Sequence, residues 1–512
     1  MMRNLVRAGV ISLGLVASGV VDSALAEPLG QFIDHADVGE PALPGSARME
    51  DDKYVVTGGG ANIWGERDAM HFVWTQGSGD QHISADIGFV GEGGDPHRKA
   101  GVMIRQNLSP GSPYADVMAH GDGLLAMQYR AEQDGPTRQI VSAEPHRGRV
   151  RLEREGDFIY FSVEQPDGSL AHAGGSFRIP FQAPYLIGLA VSAHDDTRRE
   201  TAVFRDVNIE VPELEYVPDT GYAALVESTL ETLEIGGAGS RTVVRHFDYK
   251  IEAPNWSKDG TTLYFNSGGR IWQIPVSGGV PVQIDTGRHV ANNNDHGLSP
   301  DGNQMVISDQ IEPDNLSRIH IVTLDGSQPV REVVNDDEAR SYWHGWSPDG
   351  KTLAYVRVGL NDESYDIWAK DLSGGEPYPL VVGPGVDDGP EYSPDGKWLY
   401  LNSTRSGSMA LWRARADGNE PEQLTFDASR RDWFPHISPD GKWIAYVSFG
   451  DDIALGDHPP NREDVQLRLL PTDGSAEPIV LTRLFGGQGT INVPSWSPDS
   501  TRIAFVSYRL KR

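Results

Sequence analysis

A Ser-Pro-Asp-Gly tetrapeptide, or a close variant, returns six times between Trp256 and Ser500. It reads Trp256-Ser257-Lys258-Asp259-Gly260, Leu298-Ser299-Pro300-Asp301-Gly302, Trp346-Ser347-Pro348-Asp349-Gly350, Tyr392-Ser393-Pro394-Asp395-Gly396, Ile437-Ser438-Pro439-Asp440-Gly441 and Trp496-Ser497-Pro498-Asp499-Ser500. The serines stand 42, 48, 46, 45 and 59 residues apart. Proline after serine presets φ for a turn, and Asp-Gly completes it. A period in the forties with strand-like flanks is the signature of a propeller blade. The repeat thus predicts an all-β ring of six blades. It also places all six turns, each joining strand A to strand B, on one face.

In the third repeat the expected strands are Trp343 to Trp346, Thr352 to Val356, Tyr365 to Leu372 and Tyr378 to Val382. The sixth repeat runs out near Tyr508. Its missing outer strands are expected from Ser228 to Ile235 and Arg241 to Phe247, inside a closing hairpin at 227–250. Closing the ring this way removes exposed strand edges.

Residues 27–213 lack the repeat but alternate in strand-like runs, such as His71–Trp74, Ala100–Arg105, Tyr114–Met118 and Phe158–Val163, between Gly- and Pro-rich turns. That pattern predicts a β-sandwich or jelly roll. Residues 214–226 read as a linker, and 227–512 as the propeller.

At the N-terminus, Arg3 and Arg7 precede the apolar stretch Ala8 to Val21, and Ala24-Leu25-Ala26 ends it. This is the pattern of a signal peptide over residues 1–26, cleaved after Ala26. A periplasmic or secreted protein is the expectation, with no membrane insertion. The chain has no cysteine, which excludes disulfides, thiolate catalysis and Cys-ligated metals. Its formal net charge of −29 disfavours nucleic acid as a partner.

Two resemblances add to this reading. Ala61-Asn-Ile-Trp-Gly65, Lys99-Ala-Gly-Val-Met-Ile-Arg105 and Leu108-Ser-Pro-Gly-Ser112 look like the concanavalin A-like domain of many bacterial secreted proteins. Asn293-Asn-Asp-His-Gly297, Ser341-Tyr-Trp-His-Gly-Trp346, Asp387-Asp-Gly-Pro-Glu-Tyr392, Trp433-Phe-Pro-His436 and the segment Phe485 to Trp496 resemble the TolB-like, WD-like propellers often labelled as biopolymer-transport components. The second resemblance implies a six-bladed propeller. A β-sandwich stands where TolB itself has an α/β domain, so it does not by itself imply a place in the Tol–Pal system.

The face opposite the turns carries the irregular segments, and variable loops are where such scaffolds bind. His296 and His344 share one register on the channel-lining strand, and His436 falls one residue later, at the register of Glu391. These four groups can hold a divalent cation such as Ca, Mn or Zn. The three histidines can equally serve as general acid and base, or bond backbone groups between blades. Oligogalacturonate lyases resemble this repeat type and use channel histidines with a metal, although no lyase-specific motif is present here. Asp295, Asp387, Asp388, Asp432, Tyr342, Trp343, Trp433 and Asn492 fall at the same mouth as candidate substrate contacts. The tryptophans either stack on sugar faces or pack between blades. The insertion Asp451 to Asp464 either lids the channel or is a solvated acidic loop. Two functions follow as expectations. One is a glycan-binding or glycan-degrading protein, a lyase or hydrolase if it is an enzyme. The other is a non-catalytic scaffold for an envelope protein.

Overall fold

The computed structural model describes residues 29–213, 226–236, 239–311, 314–361 and 364–511. The expected signal peptide and nearly all of the expected linker lie outside the described residues.

Five consecutive four-stranded antiparallel sheets form blades 1 to 5, at residues 252–283, 292–334, 339–381, 387–423 and 430–486. The repeated turn supplies the joint between the first two strands of each. In all six copies the serine Oγ donates to the aspartate Oδ1 at 2.6–2.7 Å. The serine Oγ in turn accepts the backbone N–H five residues after it, at 2.9–3.0 Å. The glycine takes a φ of 69–79°, where a Cβ is penalised. Only the last copy, Ser500, adopts such a φ without being glycine. The first and sixth turns are neighbours, because a Cβ on Gly260 would lie 3.7 Å from Pro498.

The expectation of six separate four-stranded blades is corrected to five. Arg502–Leu510, Val226–Glu234 and Arg241–Phe247 pair in that order, but they do not form an independent sheet. Arg241 and Thr242 pair in parallel with Ile140 and Val141. The three closing strands thereby become one end of a ten-stranded sheet that continues into the N-terminal region. The inner segment of this last unit touches it through a single bridge, Trp496 to Ile503.

All the strand-like runs read in residues 27–213 form strands. They divide between the ten-stranded sheet and a second sheet of eight, and one buried core draws on both, with Val73, Ile104 and Leu189 from the first and Val56, Ile83 and Phe161 from the second. A further core cluster mixes Phe158 and Tyr160 with Phe485 and Val506, so the N-terminal sheets and the propeller share apolar packing.

Between blades the seams are apolar and tightly filled. Trp343 of blade 3 packs with Val306 and Ile319 of blade 2. Gly297 makes room for it, since a Cβ there would lie 2.1 Å from the Trp343 ring. Gly297→Ala should therefore cost about 1–3 kcal/mol by overpacking, read as a lower denaturation midpoint. An unchanged midpoint would show a looser seam.

Candidate functional site

The irregular segments expected at the channel mouth prove largely to be the first residues of inner strands: Asn292–Leu298, Ala339–Trp346, Asp387–Tyr392 and Arg430–Ile437. What made them look irregular is a bulge. Each inner strand loses register with its neighbour once, between Glu252 and Asn255, Asn292 and His296, Trp343 and Gly345, Asp388 and Glu391, and Trp433 and His436. Ala253, Gly389 and Phe434 take positive φ there. A bulge frees backbone groups from the ladder and re-aims side chains. Polar residues of the preceding blade satisfy the freed groups. Asn266 donates to the Asn292 and Asn293 carbonyls, while Ser308 Oγ and Asn402 Oδ1 accept the Trp343 and Phe434 amides.

The bulges bring Asp295, His344 and Asp388 together, from blades 2, 3 and 4. His344 Nε2 lies 3.2 Å from Asp388 Oδ1 and 3.7 Å from Asp295 Oδ1, and all three are buried. Asn492 Nδ2 donates to Asp295 Oδ1 at 2.6 Å, and Asn293 Nδ2 to Asp295 Oδ2 at 2.5 Å. The Tyr365 hydroxyl donates to Asp388 Oδ2 at 3.4 Å, and Tyr342 stands half-buried at the same cluster. Tyr365 begins the third strand of its blade, where no motif marks it. The Asn-rich run does make an Asx-type bond, from Asp295 N–H to Asn293 Oδ1 at 3.0 Å.

Electrostatics separates the two acids. Burial raises the pKa of Asp295, and the His344 charge offsets this only in part. Burial acts on Asp388 too, but its hydrogen bond to His344 and the imidazolium charge prevail and hold it below the usual value. Burial would lower His344, yet the charges of Asp295, Asp388 and Glu391 raise it. One carboxyl pushed up beside one pushed down is an arrangement found at acid–base sites.

The remaining sequence candidates do not join this group. His436 Nδ1 bonds Glu391 Oε2 at 2.7 Å and its Nε2 donates to the Ile491 carbonyl at 3.1 Å, leaving no ring nitrogen for a metal. Glu391 Oε1 accepts the Ile437 amide at 2.9 Å. His296 is buried with neither ring nitrogen in a hydrogen bond, and burial pushes its pKa down to about 4. Asp387 is held by Arg405 Nη2, 2.8 Å from both oxygens, and Asp432 accepts Ser448 Oγ at 2.6 Å. Trp343 and Trp433 are 1% and 0% exposed, so neither offers a face for stacking on a sugar. The channel histidines and Glu391 thus do not assemble a common ligand set. Among the described residues, groups of three imidazoles and carboxylates close enough to share a cation lie in the N-terminal sheets.

The insertion after blade 5's second strand is shorter than expected, because Arg462–Pro471 is already strand. Residues 451–461 fold over the mouth. The His458 ring lies 4.7 Å from Trp433 and 5.8 Å from Phe434, whose ring is in turn stacked 5.8 Å from His344. The Pro459 carbonyl accepts the Gln488 amide at 2.9 Å, and a Cβ on Gly456 would lie 3.1 Å from Val386. The loop therefore roofs the cluster.

The structure is thus a β-propeller with acids and imidazoles gathered at the ends of its inner strands. A family model described as the TolB beta propeller domain matches residues 313–467. The uncharacterized Agrobacterium fabrum protein Atu1656 is 42% identical over 290 residues, which is 56% of this chain and 95% of that protein. A solved structure from Agrobacterium tumefaciens, provisionally assigned to TolB, is 41% identical with a TM-score of 0.51, over 56% of this chain and 99% of its own. The Tol-Pal system protein TolB of Francisella tularensis is 23% identical over 292 residues, 55% of this chain and 62% of that protein. The chain belongs to the family of TolB-like β-propeller proteins. No described helix is long and apolar enough to cross a membrane.

Proposed function

We propose that this protein is an extracytoplasmic glycan-handling propeller that engages a saccharide at its roofed channel mouth. The observation that carries the reading is His344 held between Asp388 and Asp295 at 3.2 and 3.7 Å. Two carboxyl groups, an imidazole and an amide in one buried recess can meet hydroxyl groups as donors and acceptors. The opposite pKa shifts of the two acids equip the same cluster for lyase or hydrolase chemistry, with Asp295 as proton donor. The buried tryptophans mean that recognition runs through polar contacts rather than ring stacking. The extracytoplasmic placement rests on the charged, apolar and Ala-Leu-Ala segments of the first 26 residues, and the concanavalin A-like resemblance of residues 27–213 fits a second sugar-facing unit.

A second reading is a non-catalytic scaffold for an envelope protein. It is favoured by Leu455, 53% exposed on the roof among Asp451, Asp452 and Asp457. Binding of the purified protein to a panel of neutral and acidic oligosaccharides separates the two. The glycan reading expects saturable binding to at least one class, unaffected by Leu455→Asp. Absence of any saccharide binding contradicts it and leaves the scaffold.

A further inference from the structure

Away from the propeller, two adjoining turns at the end of a hairpin bring together His97, His120 and Asp122. The strands Lys99–Arg105 and Tyr114–His120 pair with Lys99 opposite His120, so the residues just before the first and just after the second are neighbours. Backbone bonds lace the two turns. Gly121 N–H donates to the Arg98 carbonyl at 3.0 Å, Asp122 N–H to the Pro96 carbonyl at 2.8 Å, and Arg98 N–H to the Asp95 carbonyl at 3.1 Å. The main-chain positions of the three residues are thus fixed by the fold.

His120 is only 6% exposed, and neither of its ring nitrogens has a hydrogen-bond partner. Leaving a buried imidazole unbonded is costly, and it calls for a ligand. One ring nitrogen of His120, one of His97 and one oxygen of Asp122 all lie within 4.8 Å of one another, with His97 Nδ1 3.7 Å from Asp122 Oδ2. Donors about 2.1 Å from a tetrahedral cation stand about 3.4 Å apart, so small side-chain rotations complete the set. His194 stands beside it, its ring 5.6 Å from that of His97, and Asp95 Oδ1 lies 3.2 Å from His194 Nδ1. The nearby cations are engaged elsewhere: Lys99 Nζ with Asn62 Oδ1 and the Ile63 carbonyl, Arg98 with Glu200.

We propose that His97, His120 and Asp122 form a site for a divalent transition-metal cation of the zinc class, with a fourth position open to solvent. Two imidazoles and one carboxylate suit zinc better than calcium or magnesium, which prefer all-oxygen shells. The site is independent of the propeller channel and of the glycan reading.

The test is titration of the untagged, chelator-treated full chain with Zn²⁺, followed by calorimetry, and with Co²⁺, followed by visible absorption. One equivalent of Zn²⁺ should bind, and Co²⁺ should give the intense bands of a four-coordinate site. His97→Ala and Asp122→Asn change exposed side chains, so the metal-free variants should melt like the parent. Each should weaken Zn²⁺ binding at least about tenfold, whereas His344→Ala should bind as the parent does. No saturable binding, parental affinity in both hairpin variants, or loss confined to His344→Ala would overturn the proposal.

Discussion

Arg241→Met is expected to destabilise the protein by about 3–5 kcal/mol, the cost of stripping the partner from a buried charge. Arg241 and Glu231 are both fully buried. Arg241 Nε and Nη2 donate to the two oxygens of Glu231 at 2.9 and 2.6 Å, and Nη1 donates to the Ser176 carbonyl at 2.8 Å. The guanidinium lies 5.2 Å from the Phe505 ring, and Ser507 Oγ donates to Glu231 Oε1 at 2.7 Å. The pair sits where the closing strands of the ring become part of the N-terminal sheet. Removing the cation leaves the buried Glu231 carboxyl without its guanidinium partner, with the Ser507 hydroxyl still bonded to it. The double variant Arg241→Met with Glu231→Leu should recover most of the loss, because two apolar groups replace the whole ion pair. Urea denaturation of the three proteins measures this. The shared sheet further predicts that the N-terminal sheets and the closing strands unfold in one transition. A loss below about 1 kcal/mol in the single variant would mean that water reaches the pair.

His344→Gln should weaken saccharide binding by about tenfold to a hundredfold, equivalent to roughly 1.4–2.8 kcal/mol. The same variant carries a pH signature that a merely space-filling residue would lack. The His344 pKa is raised on folding, so its contribution to stability is complete below the unfolded value near 6.5 and fades as pH rises through the higher folded value. Asp295, also raised, acts in the same sense from its own unfolded value near 3.9 upward. Asp388 is lowered, so its contribution holds above about 3.9 and is lost as pH falls through the folded value. The stability difference between parent and His344→Gln should therefore be largest in mildly acidic solution and shrink above neutrality. Melting midpoints across that range report it, and a difference independent of pH would show that His344 is not charged in the fold.

The periodic turn was readable because its chemistry is local. Serine and aspartate two residues apart satisfy one another, and every copy does so in the same way. The bulges were not readable, since their partners are Asn266, Ser308 and Asn402 on the preceding blade, and nothing local announces them. For the same reason Asp295 and Asp388 could be placed at the mouth but not paired with His344, while Asp387, one residue from Asp388, turns to Arg405. The fate of Trp343 depended on the missing side chain of Gly297, a contact between blades 46 residues apart in sequence. The blade count failed at the one place where pairing is non-local and short. Two residues, Ile140 and Val141, are enough to join the closing strands to another sheet.

The central claim is that Asp295, His344 and Asp388 form the ligand-engaging group of the channel. Calorimetric titration of the best-binding oligosaccharide into the parent, Asp295→Asn, His344→Gln and Asp388→Asn tests it most directly. The account predicts that each channel variant, still folded by circular dichroism, loses at least about tenfold in affinity, while Asp432→Asn, whose carboxylate is turned to Ser448, binds as the parent does. Parental affinity in all three channel variants would contradict it.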